Sequence, residues 1–245
     1  MKFVNCIWEL DNLGEHVCEI TVSKSDRFEI DLFDSEVSFY DYVVVKVPMT
    51  HLDFNFGLTD LGYTMVETQL NISKKYKDFN FEDKLVRLLY SHTDERIVTT
   101  EEELELILNR ITPDMFSTDR IYLDPHFDNG ISSYRYKNWI RTEFKNNSSI
   151  ISKLLYDGTM VGYSMERFEN GVLHGLLGGI FEEEQSEGLG LLTACASFIS
   201  ANKYNRPFKI GKTAISSNNI PMLQIYNYLH FKIDSMTYVF VKHNK

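Results

Sequence analysis

Cysteine is scarce in this chain. Its 245 residues hold three, Cys6, Cys18 and Cys195, an odd number at wide spacing. That excludes a disulfide framework and fits a reducing cytoplasm. No cluster of cysteine and histidine has local metal-ligand spacing, so no metal site is expected. Long apolar runs are missing as well. None approaches the roughly 20 residues that a membrane helix requires. The opening residues, Met1 to Cys6, lack the apolar core and cleavage site of a secretion signal. Positive charge is in deficit: 25 Lys and Arg against 35 Asp and Glu leave a net charge of −10, which argues against a nucleic-acid-binding surface. Glycine and proline are few, 13 and 5, so the places where they punctuate the chain carry information.

What is present reads as an ordinary α+β protein. Val17 to Val22 alternates as a strand, Tyr42 to Val47 is a β-branched run, and Met65 to Ile72 alternates again. Between the last two, Phe54 to Leu61 suits a short helix stopped at Leu61-Gly62-Tyr63. The polar stretch Ser91 to Glu95 is the expected linker. It divides the chain into a small N-terminal α+β lobe, residues 1–92, and a second domain, residues 93–245. In the second domain Glu101 to Ile111 forms an amphipathic helix, capped by Thr99 or Thr100 and acidic in its first turn. Thr112 to Gly130 reads as a long loop, and Ile131 to Phe144 as a helix. Three antiparallel strands follow, Ile150 to Tyr156, Met160 to Phe168 and Val172 to Phe181, joined by Asp157-Gly158 and Asn170-Gly171. Both dipeptides favour the left-handed backbone of two-residue hairpin turns.

The informative stretch comes next. The apolar run Leu176 to Phe181 leads through Gln185-Ser186-Glu187-Gly188-Leu189-Gly190 into a helical pattern that carries Leu192, Cys195, Ala196, Phe198 and Ile199. Glycines therefore sit where a strand hands over to a helix. The first amides of a helix have no internal partner there, and its dipole is positive. Such a turn suits a phosphate or pyrophosphate. A strand over Lys209 to Ile215 follows. Then Asn218 or Asn219 caps a helix with Pro221 in its first turn, Leu229-His230-Phe231 ends it, and Lys232 to Val241 is the last strand.

Taken in that order, Gln-x-x-Gly-x-Gly and Asn-x-x-Met-x-x-x-Tyr-x-x-Leu-His-Phe resemble the signature of the GNAT superfamily of acyl-CoA-dependent N-acyltransferases. The resemblance implies the GNAT fold, a central mixed, mostly antiparallel sheet flanked by helices, with acetyl-CoA as cofactor. Phe181, Glu182, Gln185, Ser186, Glu187, Gly188, Leu189, Gly190, Asn219, Met222 and Tyr226 fall at cofactor-binding positions, and Tyr226 falls at the position of the catalytic acid. The family usually has Gly where His230 stands. In the N-terminal lobe, the helix, Leu61-Gly62-Tyr63 and strand faintly repeat the helix, Leu229-His230-Phe231 and strand, which hints at a half-size GNAT-like unit.

Two further stretches are similar to the bacterial dTDP-fucosamine acetyltransferase group. One is Trp8-Glu9-x-x-x-Leu13-Gly14. The other is Asp119-Arg120-x-x-x-Asp124-Pro125-His126-Phe127 with Tyr134-x-x-x-x-Trp139-Ile140. This likeness implies a nucleotide-linked amino sugar as acceptor, with Arg120, His126, Tyr134 and Trp139 lining its pocket. A homodimer is compatible with it. Acyl transfer also needs a base, and His174, Glu166 and Glu182 are all candidates on or beside the central strands. For the anionic cofactor, Lys203, Arg206, Lys209 and Lys212 are the nearby cations. Two other readings stay open: a GNAT enzyme acting on another amine (polyamine, antibiotic or protein N-terminus), and a non-catalytic acyl-CoA-binding protein.

Overall fold

The computed structural model describes residues 1–244. The side chains at 30–32 and 186–187 lie outside the described residues, so nothing follows here for the Ser186 and Glu187 side chains. The first part of the chain runs β1 (Lys2–Asn5), α1 (Glu9–Leu13), β2 (Val17–Thr21), α2 (Ile30–Val37), β3 (Tyr42–Pro48), α3 (Leu52–Asp60), β4 (Thr64–Lys75) and α4 (Lys84–His92). It continues with β5 (Thr93–Ile97), α5 (Glu101–Leu108), α6 (Arg120–Leu123), α7 (Asn129–Lys145), β6 (Ile150–Tyr156), β7 (Thr159–Glu169) and β8 (Val172–Ile180). The last elements are α8 (Gly190–Lys203), β9 (Ile210–Ser216), α9 (Ile220–Tyr228) and β10 (Lys232–His243).

Local chemistry accounts for most of these boundaries. Thr100 caps α5 by accepting the Glu103 N–H, and Asn219 caps α9 by accepting the Met222 N–H at 3.2 Å. Asp157-Gly158 and Asn170-Gly171 turn with φ of 48° and 81°, and of 52° and 80°, the left-handed pairs that two-residue hairpins need. His230 takes φ 55°, and the Phe231 N–H returns to the Tyr226 carbonyl at 2.9 Å. The helix stop that usually calls for glycine is thus made by a histidine at some backbone cost.

Among the described residues ten strands form one mixed sheet in the order β1-β2-β3-β10-β4-β9-β8-β7-β6-β5. This order is palindromic about the β10–β4 pair. Outward on one side lie β3, β2 and β1; outward on the other lie β9, β8 and β7. The β2–β3 and β8–β9 pairs are parallel, while the pairs flanking them are antiparallel. The faint sequence echo is therefore a structural repeat, β1-β2-α2-β3-α3-β4 against β7-β8-α8-β9-α9-β10. The closing strands are exchanged: β4 pairs with β9, and β10 with β3.

Two expectations need correction. Ser91 to Glu95 is no linker: α4 ends at His92 and β5 starts at Thr93, whose side chain is buried. The Asp94 carboxylate there accepts from the Tyr204 hydroxyl at 2.6 Å, so tertiary packing orders a stretch that composition alone leaves polar and open. Residues 112–130 are no plain loop either. They hold a 3-10 turn, Pro113–Phe116, and the one-turn helix α6, whose cap Asp119 accepts the Ile121 N–H.

Apolar layers cover both sheet faces. One joins α8 and α9 to the sheet through Leu192, Cys195, Phe198 and Ile199; the other packs α5 and α7 through Leu104, Ile107 and Ile140. Each such side chain taken fully out of water contributes roughly 1.5–3 kcal/mol, enough to fix the helices on which the candidate site rests.

Candidate active site

The site begins with two strands that part. β8 and β9 run parallel, but their pairing spans only Val172↔Ile210 to Gly175↔Thr213. Beyond Gly175, β8 continues to Ile180 against β7 alone, and β9 continues to Ser216 against β4. A cleft opens between them. α8 starts just beyond the end of β8 and α9 just beyond the end of β9, so two positive helix ends flank its mouth. The Phe181 N–H donates to the Val161 carbonyl at 2.9 Å. Strand groups alternate sides, so the Gly178 and Ile180 N–H groups point away from β7 into the cleft. Among the described residues neither has a strand partner on that side, the arrangement that an oxyanion hole requires.

The loop between β8 and α8 is shaped by few contacts. Glu182–Glu187 makes a 3-10 turn, and Gly188 ends it with φ 73° in the left-handed region. A Cβ added at Gly188 would meet nothing within 4 Å, so the glycine serves backbone conformation and leaves the space before the helix open. Gly190 differs. A Cβ there would meet the Ile225 side chain at 3.3 Å, so this glycine lets α8 and α9 approach. Leu189 is buried and supplies no side-chain cap to α8. The Gln185 side-chain amide donates to the Ile180 carbonyl at 3.3 Å and pins the loop to the strand end. Asn219 is spent on capping α9. The Thr193 hydroxyl donates to the Gly190 carbonyl at 2.7 Å and lies 3.4 Å from the Met222 sulfur, a contact between α8 and α9. Glu182 is exposed, and Phe181 is fully buried.

A residue not singled out from the sequence organises this loop. Arg110, just after α5, donates to Glu183 at 2.5 Å and to Glu184 at 2.9 Å, and its guanidinium sits 4.2 Å over the Phe181 ring. Three consecutive glutamates repel one another, and Arg110 offsets two of them. Its local sequence, Asn109-Arg110-Ile111, carried no signal of this.

Tyr226 lies at the cleft on α9, its ring 4.8 Å edge-on from Phe231. Burial pushes its hydroxyl up to about 12, the charges of Glu166 and Cys195 add to this, and a hydrogen bond with Thr213 pulls back. It therefore stays protonated throughout neutral pH. Tyr228 points elsewhere and donates to Asp83 at 2.7 Å. Glu166 on β7 lies on the face of α8, where it accepts from the Ser197 hydroxyl. Burial pushes its carboxyl up to about 8, the Glu95 carboxylate adds to this, and the Ser197 bond opposes it. Of the three candidate bases, Glu166 stands within electrostatic reach of Tyr226. His174 pairs across the sheet with Lys212, on the face opposite Gly175 and Thr213, and Glu182 faces solvent.

The acceptor candidates do not converge. Burial disfavours the charge on Arg120, but the carboxylates of Asp119, Glu67 and Glu19 outweigh it and hold the guanidinium protonated; its Nε is buried without a partner among the described residues. Tyr134 is 50% exposed. The Trp139 indole donates to Glu143 at 3.1 Å. His126 is exposed beside Asp124 and His243. The aromatic that joins Arg120's surroundings is Tyr136, two residues past Tyr134, which donates to Asp119 at 2.8 Å. The N-terminal Trp8-Glu9 stretch reaches the same region: Glu9 is buried, and Arg135 of α7 donates to its Oε1 from Nε at 2.7 Å and from Nη2 at 2.6 Å. Among the candidate cations, Lys203 is committed to the Thr93 carbonyl and the Tyr90 ring.

No family model matches the chain, and no curated protein matches it. Solved structures do. A GCN5-related N-acetyltransferase from Sphaerobacter thermophilus aligns with TM-score 0.55 and 10% identity over 83% of this chain and 60% of its own. A functionally unknown conserved protein from Staphylococcus epidermidis aligns with TM-score 0.61 and 10% identity over 94% and 85%. A tandem GNAT protein from the clavulanic acid biosynthesis pathway aligns with TM-score 0.53 and 11% identity over 83% and 64%. This chain thus spans about three-fifths of the first structure's length and somewhat more of the third's. These likenesses show the fold: it is that of the GCN5-related N-acetyltransferases.

Proposed function

We propose that the protein is an acetyl-CoA-dependent N-acetyltransferase that acts by direct attack of an amine on the thioester. The observation that carries this reading is the parting of β8 and β9 after the Gly175–Thr213 pair, with Tyr226 and Glu166 on the α8–α9 side of the opening. The cofactor's pyrophosphate lies at the start of α8 beside Gly188 and Gly190, on backbone amides. That reliance on amides suits a chain with net charge −10. The Gly178 and Ile180 N–H groups hold the carbonyl oxygen as charge builds on it.

Glu166 draws the proton from the amine, directly or through water. A base titrating near 8 balances availability against strength. Tyr226 returns a proton to the departing thiolate. Its hydroxyl near 12 is a reluctant donor to a thiolate in water, but the burial that raises the phenol raises a thiolate beside it in the same direction.

The acceptor proposed first is a nucleotide-linked amino sugar, bound on the α6–α7 side with Arg120 toward its diphosphate. An arginine suits that group because its fork matches phosphate oxygens bidentately. Another small amine is the competing acceptor. Calorimetry with acetyl-CoA, followed by thiol release with a panel of dTDP- and UDP-amino sugars and polyamines, tests both levels. Absence of acetyl-CoA binding refutes the enzyme reading. Turnover of polyamines with none of the sugars refutes the acceptor.

A further inference from the structure

Asp124, His126 and His243 meet at the far end of β10, where His243 pairs with Tyr42 of β3. No local spacing announces this set, because Asp124 and His243 are 119 residues apart in the chain. The Asp124 carboxylate sits between the two imidazoles. One oxygen lies 3.2 Å from His126 Nδ1 and the other 2.9 Å from His243 Nε2. All three donor atoms lie within 4.8 Å of one another. We propose that these residues bind one divalent transition-metal ion, Zn²⁺ by ligand class, which clasps the turn after α6 to the end of the last strand.

The ligand chemistry selects the ion. Two imidazoles and one carboxylate form a nitrogen-rich set of the kind that suits zinc and its transition-metal neighbours, and a poor one for Mg²⁺ or Ca²⁺, which take oxygen ligands. Metal–ligand bonds of about 2.0–2.2 Å at tetrahedral angles place neighbouring donor atoms roughly 3.3 Å apart. The two carboxylate–imidazole separations already stand near that value. The imidazoles must still move. Their rings are stacked, with centroids 3.9 Å apart and planes at 16°, and parallel rings cannot both aim an in-plane lone pair at one ion. His126 is the ring free to turn: its side chain is 57% exposed, whereas His243 is 13% exposed and Asp124 8%. Tyr42 and Phe127 close over His243 at ring distances of 4.6 and 5.5 Å, a dry wall on the inner side that strengthens binding of a cation by the carboxylate. Three protein ligands leave a fourth position for water on the side of His126. The inference stands apart from the acyl-transfer reading, since none of its ligands lines the cleft.

The test uses the full chain without a histidine tag, stripped by chelator. Co²⁺ is titrated as a visible reporter of tetrahedral coordination, and Zn²⁺ is measured by calorimetry. One ion per chain is expected, with Zn²⁺ displacing Co²⁺ and millimolar Mg²⁺ failing to compete. Asp124→Asn should weaken Zn²⁺ binding at least 100-fold, and His126→Ala at least tenfold. His243 packs against Tyr42 and Phe127, so its replacement risks disturbing this corner; His126 is exposed, and His126→Ala keeps the fold. Lack of stoichiometric binding overturns the proposal, and so does unchanged Zn²⁺ affinity in folded His126→Ala.

Discussion

Replacing Glu166 with Gln separates its part in chemistry from its effect on the fold. Burial and the neighbouring Glu95 hold the carboxyl protonated up to about pH 8, whereas a glutamate in the unfolded chain ionises near its ordinary 4.5. Between those limits the unfolded chain releases a proton that the folded chain keeps. Stability therefore falls as pH rises, by up to ~1.4 kcal/mol per pH unit, and levels off above about 8. Gln cannot ionise and still offers an acceptor to the Ser197 hydroxyl. The variant should thus be more stable than the parent at pH 9, by ~2 kcal/mol after allowing for relaxation around the charge, and the gap should close toward pH 5. For a chain of this size ~2 kcal/mol corresponds to about 4–8 °C in Tm. Activity should move the other way. Loss of a positioned base lowers kcat/KM by roughly 10²- to 10⁴-fold and removes the ascending limb of the pH–rate profile near pH 8. Calorimetric melting at pH 5, 7 and 9, together with the pH–rate profile, reads both effects. A variant that keeps the limb, or that is less stable at pH 9 than the parent, refutes the reasoning.

Other changes probe the remaining parts. Gly188→Val puts a branched residue at φ 73° at a strain of roughly 1–2 kcal/mol; the chain should stay folded but lose at least tenfold in acetyl-CoA affinity by calorimetry. Gly57→Ala should cost ~2 kcal/mol or more of stability in urea melts, because its Cβ would stand 2.0 Å from the Phe28 ring, while acetyl-CoA affinity stays unchanged. Arg110→Ala frees Glu183 and Glu184 and should raise KM for acetyl-CoA several-fold with little change in kcat. Arg120→Ala should raise KM for a nucleotide-sugar acceptor far more than KM for acetyl-CoA, and equal effects on both would remove Arg120 from the acceptor site.

Gly57 lies in the half of the molecule whose parallel strands stay paired. The repeat places β2, α2, β3 and α3 where the second half has β8, α8, β9 and α9, yet among the described residues the first half shows no parting of its parallel strands. β2 pairs with β3 along its whole length, and Val22 extends the pairing to Lys46. Phe28 and Phe54 fill the space at 5.0 Å between ring centroids.

What the sequence made legible was local. Hairpin dipeptides, the Asn219 cap, the glycine turn and the helix stop at His230 each act within a few residues, and all stand where the pattern placed them. What stayed hidden is made by contacts distant in the chain. Strand β10 inserts between β3 and β4, and no run of residues near it signals that exchange. Glu166 looked like any polar strand residue until α8 and Glu95 closed around it. Asp124 and His243 belong to segments that only the sheet brings together. Short helices in residues 112–130 escaped because one turn is too short to show a period.

The central claim, direct acyl transfer with Tyr226 as acid, is tested most directly by single-turnover acetyl transfer from acetyl-CoA in Tyr226→Phe, with Tyr228→Phe as control. Phe keeps the ring against Phe231, and the Thr213 hydroxyl keeps its bond to the Gly175 carbonyl at 3.0 Å, so stability should change by no more than about 1 kcal/mol. The transfer rate should fall by roughly 10²- to 10⁴-fold at unchanged acetyl-CoA affinity, while Tyr228→Phe, altered only at its exposed bond to Asp83, stays near the parent rate. A Tyr226→Phe protein that transfers acetyl at the parent rate in a single turnover contradicts the account.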